Sequence, residues 1–323
     1  MINPITLSVR LMTYNHAEYI TQCLIGIEQQ QTSFPFEVII GDDFSTDNNL
    51  ALIQQFITSS TNKSINYILL NRKKGDEYDI NRQKKGRLYN FLDIIHHCKG
   101  KYIALLDGDD YWTDPLKLQK QVDFLEENEE YVACFTGCKH VDESNKIIKE
   151  SRYESYYDQT AEQLLTAEGA MITNSVMFRN VIKVFPPSFY QIPSGDTFLY
   201  HLLGFHGGGK FIPTIEYSAY HIHSGGVWSG INDLQRMKNT LCTMSAIKEN
   251  LVLHFGKEND YIKKMNISTF NNIKGYLYLS LYHKRFRMYF SMHKLIFTQK
   301  SFNKTFLLQQ HLLDLFQRLF KIK

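Results

Sequence analysis

The chain has 323 residues, 43% of them apolar, and a formal net charge of +3. That apolar content suits a packed globular protein, one large domain or a domain with an appendage. No uninterrupted apolar run approaches the ~20 residues that span a bilayer, which excludes a transmembrane helix.

Strand and helix alternate from the start. Residues 5–12 read as a first strand, followed by the polar loop Thr13-Tyr14-Asn15-His16. Residues 17–30 fit a helix, and residues 36–40 a second strand ending at Gly41-Asp42-Asp43-Phe44-Ser45-Thr46-Asp47. A helix over 48–59, a strand over 65–70, a helix over 88–98 closed by Lys99-Gly100, and a buried strand over 101–106 follow. This regularity predicts stacked βαβ units, hence an α/β fold with a mostly parallel central sheet flanked by helices. Asp114-Pro115 then opens a helix over 116–127, and residues 131–141 read as a strand pair. The charged, Tyr-rich stretch 142–160 lacks a period and reads as a flexible loop over the site. Strands near 174–178 and 211–223, with a helix over 196–203 between them, lead to a helical pattern from Leu234 to the end. The expected division is a domain over 1–230 and a helical, basic C-terminal extension over 231–323.

The most informative stretch is Ala104-Leu105-Leu106-Asp107-Gly108-Asp109-Asp110-Tyr111-Trp112, where an apolar strand stops at three carboxylates within four residues. Carboxylates so close raise one another's pKa unless a cation lies between them, and hard divalent ions take such oxygen ligands. Mg2+ or Mn2+ with a phosphate as co-ligand is the natural occupant. A solvated acidic turn is the alternative. Position favours the cation site, because the carboxyl ends of parallel strands are where open sheets bind ligands. In such a sheet Thr13–His16, Asp42–Asp47 and Asp107–Asp110 face one crevice. These loops hold no Gly-x-Gly-x-x-Gly or P-loop run.

These motifs, in this order and with the later Gly195-Asp196 and Tyr220-His221-Ile222-His223-Ser224-Gly225-Gly226, resemble the inverting glycosyltransferases of family 2, which have the GT-A fold. The resemblance runs over roughly residues 5–230. It implies a nucleotide-sugar donor, a UDP-sugar above others, and a glycan or lipid-linked saccharide acceptor of bacterial cell-surface polysaccharide assembly. It further implies that Thr13, Tyr14, Asn15 and Asp43 cradle the base and ribose, with Asp42 sharing that task, that Asp107 binds the ribose or a metal-bound water with Gly108 beside it at the nucleotide, and that Asp110 supports the loop. Asp109 would coordinate Mn2+ or Mg2+, with His223 as a further ligand, and Asp196 would be the catalytic base. Asp196 at a helix start also suits a capping role. The rival enzyme, a sugar nucleotidyltransferase, needs a Gly-rich, Arg-containing loop after the first strand, where residues 13–18 offer none. A silent glycan-binding scaffold would be signalled by loss of Asp43, Asp109 or Asp196, all of which are present.

The five cysteines and the short polar lead Met1–Pro4, which does not suit a signal peptide, point to reduced thiols in the cytoplasm. From Lys274 to Lys323 there are seven Lys and three Arg against the single Asp314. Aromatic residues mixed with this charge suit the surface of an anionic membrane, or helices packed on the domain or on a second copy. No nucleic-acid-binding module is recognisable, so nucleic acid is not an expected partner.

Overall fold

The structure is a computed structural model that describes residues 5–150, 156–169 and 171–298. Its strands and helices run β1 (Leu7–Thr13), α1 (Ile20–Glu28), β2 (Phe36–Asp42), α2 (Asn49–Ser59), β3 (Ile65–Leu69), α3 (Glu77–Lys85), α4 (Leu88–His97) and β4 (Tyr102–Asp107). There follow α5 (Lys117–Glu127), β5 (Tyr131–Phe135), β6 (Cys138–Val141), β7 (Ile147–Glu150), α6 (Ala161–Leu165), β8 (Met177–Arg179), α7 (Gly195–Leu203), β9 (Gly208–Phe211) and β10 (Ser218–His221). Three helices, α8 (Asp233–Phe255), α9 (Asp260–Tyr282) and α10 (Phe286–Thr298), complete the described chain.

Seven strands form the central sheet in the order β3-β2-β1-β4-β8-β5-β9. All are parallel except β8, which is antiparallel to both β4 and β5. The mixed α/β architecture and the C-terminal helices expected from the sequence are therefore present. Strands β1, β2 and β4 are buried on both faces, as a sheet covered by helices on each side requires. On one side α1 presents Ile20, Cys23, Leu24 and Ile27 at helical spacing, and packs with Trp112, Leu118, Val122 and Leu125. On the other, α4 and α7 share a core with Met237, Leu241, Ile247, Met265, Ile273, Leu277 and Met292 of α8–α10.

Three expectations need correction. Residues 131–141 are not one strand pair, because β5 lies in the large sheet and β6 in a second sheet, β10-β6-β7. The crossing falls at Thr136-Gly137, where a Cβ on Gly137 would sit 2.5 Å from the Tyr217 ring. Residues 211–223 divide likewise into β9 and β10. The stretch 142–160 is not wholly a loop: β7 pairs antiparallel with β6, while residues 151–155 lie outside the described part. Helix α3 escaped the sequence reading because it has almost no apolar stripe. Its ends hold it instead, with the Asp79 N–H donating to Asp76 Oδ1 at 2.8 Å and Gly86 turning the chain at φ 83°. Glu77 and Asp79 lie in its first turn and Arg82, Lys84 and Lys85 in its last, matching the helix dipole.

Beneath the acidic loop, Trp112 is buried and its Nε1 donates to the Asn174 carbonyl at 2.7 Å. Lys117 Nζ stands 4.8 Å over the Trp112 ring and donates to Gln121 Oε1 and, at 3.3 Å, to the Ser175 carbonyl. Burial pulls this lysine down to about 7, against the opposing charges of Cys134 and Asp114. An unfolded lysine titrates near 10.4, so between the two values the unfolded chain holds a proton that the folded chain has released. This residue's contribution therefore makes stability rise with pH through that window. Urea denaturation at pH 7 and pH 9 should show the wild type gaining on Lys117→Met as pH rises; parallel behaviour of the two proteins would refute the assignment.

Candidate active site

Strands β1, β2 and β4 end side by side, with Met12 paired to Gly41 and to Asp107. Their loops are joined by hydrogen bonds. The Asp43 N–H donates to the Thr13 carbonyl at 3.0 Å, the Asn15 N–H to Ser45 Oγ at 2.8 Å, and the Thr46 N–H to Asn15 Oδ1 at 2.7 Å. Both loops turn through left-handed backbone, at Asn15 (φ 54°) and Phe44 (φ 64°). Asn tolerates that region; for Phe it is a strain the surrounding bonds must hold. Tyr14 is 51% exposed at the mouth, whereas Thr13 is buried.

The two neighbouring acids of the second loop are used differently. Asp42 is consumed by its own loop, accepting from the Ser45 N–H (2.9 Å), Ser45 Oγ (2.5 Å) and Asn49 Nδ2 (2.7 Å). Asp43 is gripped from α3: Tyr78 Oη donates to its Oδ1 at 2.7 Å, and Arg82 Nε reaches both oxygens at 2.9 and 2.8 Å. Arg72, 3.7 Å from the centroid of the Tyr78 ring, ties this end to Asp93 at 2.6 Å and to the Asp42 carbonyl at 3.0 Å.

In the acidic loop each carboxylate has its own setting. Asp107 Oδ1 accepts from Arg10 Nη1 at 2.6 Å. Arg10 is wholly buried in β1, stacks on Phe91 at 4.7 Å, and leaves its Nε and other Nη without a partner among the described residues. Burial pushes Asp107 up; Arg10 opposes this and the charge of Asp109 adds to it. Gly108 has no room for a side chain, since a Cβ would sit 2.6 Å from Thr13 Oγ1.

Asp109 faces two imidazoles, His223 Nε2 at 3.1 Å and His16 Nε2 at 3.7 Å. Burial works against its charge, but the His223 hydrogen bond and the charges of His16 and His223 prevail and hold it below the usual carboxylate range. His223 is raised in turn by that hydrogen bond. Asp110 is buried and accepts from the His221 N–H at 3.0 Å; burial and repulsion from Asp109 and Asp107 drive it well above the ordinary range. His221 bonds through Nδ1 to the Asp109 carbonyl and through Nε2 to Asn145 Oδ1 at 2.9 Å, which ties the β6–β7 turn to the site.

Asp196 sits in the first turn of α7. Thr173 Oγ1 donates to its Oδ2 at 2.9 Å, and the Thr197 N–H to its Oδ1 at 2.7 Å. Tyr220 gathers the acids: burial and the charges of Asp110, Asp109, Asp107 and Asp196 all push its phenol up. Thr13 to Asn15, Asp42, Asp43 and Asp107 to Asp109 thus share one sheet edge with His223 against Asp109, while Asp196 is held by Thr173, the neighbour of the Asn174 whose carbonyl takes the Trp112 hydrogen bond beneath the acidic loop. Arg10, Tyr78, Arg82 and Thr173 were missed, and only the Asp76 and Gly86 caps of α3 signalled that a helix stood there to carry two of them.

One carboxylate converging with two imidazoles is a donor set that fits a divalent ion. Among the described residues no three His, Cys, Asp or Glu side chains form a preset cage, so an ion held by Asp109 and His223 would take its further ligands from outside these side chains.

The sequence model of the family described as Glycosyl transferase family 2 matches residues 8–185. That span takes in the loops after β1, β2 and β4 and stops short of Asp196 and His223. An uncharacterized protein of Mycobacterium tuberculosis is 34% identical over 226 residues, which are 69% of this chain and 60% of that protein. The chain thus spans about 60% of the length of the first curated relatives it matches. Bacillus subtilis TuaG, whose name assigns it to teichuronic acid biosynthesis, is 31% identical over 121 residues, 37% of this chain and 42% of its own. Among solved structures, S. aureus TarS in complex with UDP covers 83% of this chain and 71% of its own, with a TM-score of 0.54 at 15% identity. Mannosyltransferase PcManGT from Pyrobaculum calidifontis, in complex with GDP-Man and Mn2+, covers 87% and 76%, with a TM-score of 0.50 at 14% identity. These likenesses show the GT-A fold.

The Arg10–Asp107 pair has a measurable asymmetry. Removing the acid strands a buried cation, which costs about 3–5 kcal/mol, whereas an apolar replacement of the arginine strands only a part-exposed acid. Chemical denaturation should find Asp107→Ala markedly less stable than Arg10→Met; the reverse order would mean that Arg10 has another partner.

Proposed function

We propose that this chain, which belongs to glycosyl transferase family 2, transfers a sugar with inversion from a nucleotide-diphosphate donor, a UDP-sugar above others, to a saccharide or lipid-linked acceptor in cell-surface polysaccharide synthesis. The observation that carries the reading is the pair of acids held at the carboxyl edge of one sheet, Asp43 under Tyr78 and Arg82 and Asp109 before His223 and His16, together with Asp196 under Thr173 at the start of α7. The UDP held by TarS and the naming of TuaG support the donor and the pathway.

Asp43 accepts a hydrogen bond from a ring N–H of the base while Arg82 beside it donates to a ring carbonyl, a pair of complementary contacts that suits uracil. Thr13, Tyr14 and Asn15 form the opposite wall of that slot, and Asp42 keeps the loop in shape. Asp107, held through one oxygen by Arg10, offers the other to the ribose, and Gly108 lets the backbone approach. Asp109 and His223 are the residues that would hold Mn2+ or Mg2+. When bound, that ion supplies positive charge for the departing nucleoside diphosphate. Asp196 removes the proton from the acceptor hydroxyl as that oxygen attacks the anomeric carbon from the face opposite the leaving group. Thr173 and the Thr197 N–H fix its orientation and so act as positioning groups.

The compartment proposed is the cytoplasm, at the inner face of a membrane, where nucleotide sugars are available. Among the described residues no helix is long and apolar enough to cross a membrane.

Calorimetry with UDP should show binding that weakens when EDTA is added, and an affinity indifferent to chelation would remove the role given to Asp109. With a panel of nucleotide sugars used to fix the donor, Asp196→Asn should retain donor binding while turnover falls by a factor on the order of 10² or more. Near-normal turnover would disqualify Asp196. Thr173→Val should lower turnover less, and Thr173→Ser should restore it.

A further inference from the structure

The turn from α9 into α10 carries a ridge of exposed rings among cations. Tyr282, Phe286 and Phe290 are 70%, 57% and 68% exposed. Phe286 and Phe290 are four residues apart, on one helix face. Lys284, Arg285 and Arg287 stand exposed among them, and from Lys274 to Thr298 the sequence has no Asp or Glu. These helices have already buried another face: Leu277 and Met292 lie in the core with α8, and Met288 and Tyr289 pack against it. The exposed rings are therefore surplus to the packing of the domain. A cleft of about 570 Å3, lined by Asn232, Leu234, Lys284, Arg285, Phe286 and Arg287 among others, opens beside them.

The ridge is tied to the candidate active site. Arg285 Nη1 pairs with Asp233 Oδ2 at 3.0 Å, and Arg236 Nη1 with Oδ1 of the same carboxylate at 3.2 Å. Arg236 Nε donates to the Trp228 carbonyl at 3.2 Å. Ser229 Oγ, in the same loop, donates to the carbonyl of His223, whose ring faces Asp109. Val227 and Trp228 of this loop are themselves exposed.

We propose that the Tyr282–Phe290 ridge, with the Trp228 loop beside it, docks on the surface of an anionic phospholipid membrane. Rings that enter the headgroup boundary and cations that meet lipid phosphates are the two contacts such a surface rewards. Charge also decides against a second copy of the chain, because a two-fold contact on this ridge would set Lys284 and Arg287 against cations of the same ridge. The docking rests on the ridge from α9 into α10 and on the Trp228 loop alone. That it brings a lipid-linked acceptor to the crevice rests on the function proposed above.

The test is flotation of the full chain with vesicles of phosphatidylglycerol and phosphatidylcholine, against vesicles of phosphatidylcholine alone, at low and high salt. Wild-type protein should float with the anionic vesicles and be released by salt. Lys284→Glu/Arg287→Glu should weaken that binding by on the order of 10-fold or more, at ~1 kcal/mol for each cation near the surface. Phe286→Ser/Phe290→Ser should weaken it too, with thermal melting unchanged in both variants. Equal binding to neutral vesicles, salt-insensitive binding, or unchanged binding by both variants would overturn the proposal. So would a wild-type dimer in sedimentation that the Phe variants convert to monomer. Vesicle binding by a protein that fails to bind UDP would sustain the docking and sink the UDP-sugar reading proposed above instead.

Discussion

A wholly buried guanidinium at the heart of the sheet sets the terms for everything at its edge. Arg10 lies in β1 between the two strands that carry the acidic loops, and the cost of its charge in that interior requires a carboxylate within reach. Asp107 answers that need from the last residue of β4. The register that pairs β1 with β4 and the position at which the acidic loop departs are thereby linked, since a slip of one residue would turn Asp107 to the opposite face. With Asp107 fixed, Asp109 emerges two residues later toward His223 and His16, and Asp110 turns inward to the backbone of β10.

This chain of consequences sorts three acids that the sequence presents as equivalent. Asp107 leans on a buried cation, Asp109 on two imidazoles, and Asp110 on a backbone N–H in a dry pocket where its charged form is disfavoured. Three adjacent negative charges would repel strongly. Driving one toward its protonated form and pairing the others lets the loop keep its shape while leaving Asp109 the most ionised member.

Much of this was legible in the sequence because apolar runs ending in Asp and Asn loops are local signals. The strands β1 to β4, the acids at their ends and the helix that begins near Asp196 all announce themselves within a dozen residues. What was not legible depends on residues far apart. Nothing near Asp42 and Asp43 tells which of them binds its own loop and which is held by Tyr78 and Arg82, some 35 to 39 positions away. Helix α3 was invisible for a related reason: stabilised by its caps and charges, it lacks the apolar period on which helix recognition rests. The division of 131–141 and 211–223 between two sheets turns on a glycine pressed against Tyr217, a tertiary contact with no local mark.

The one antiparallel strand of the central sheet carries one more consequence. β8 is three residues long and stands between β4 and β5, so the sheet is two parallel blocks joined by a narrow seam. On one side lie the loops proposed for the donor; beyond the seam in sequence come Asp196, β9, β10 and the C-terminal helices. The register of β1 with β2 and β4 does not pass through β8, so the pairing of the strands that end at Asp42 and Asp107 is independent of the seam, whereas the acidic loop itself is also held from beyond it, by the His221 N–H on Asp110 and by His223 on Asp109.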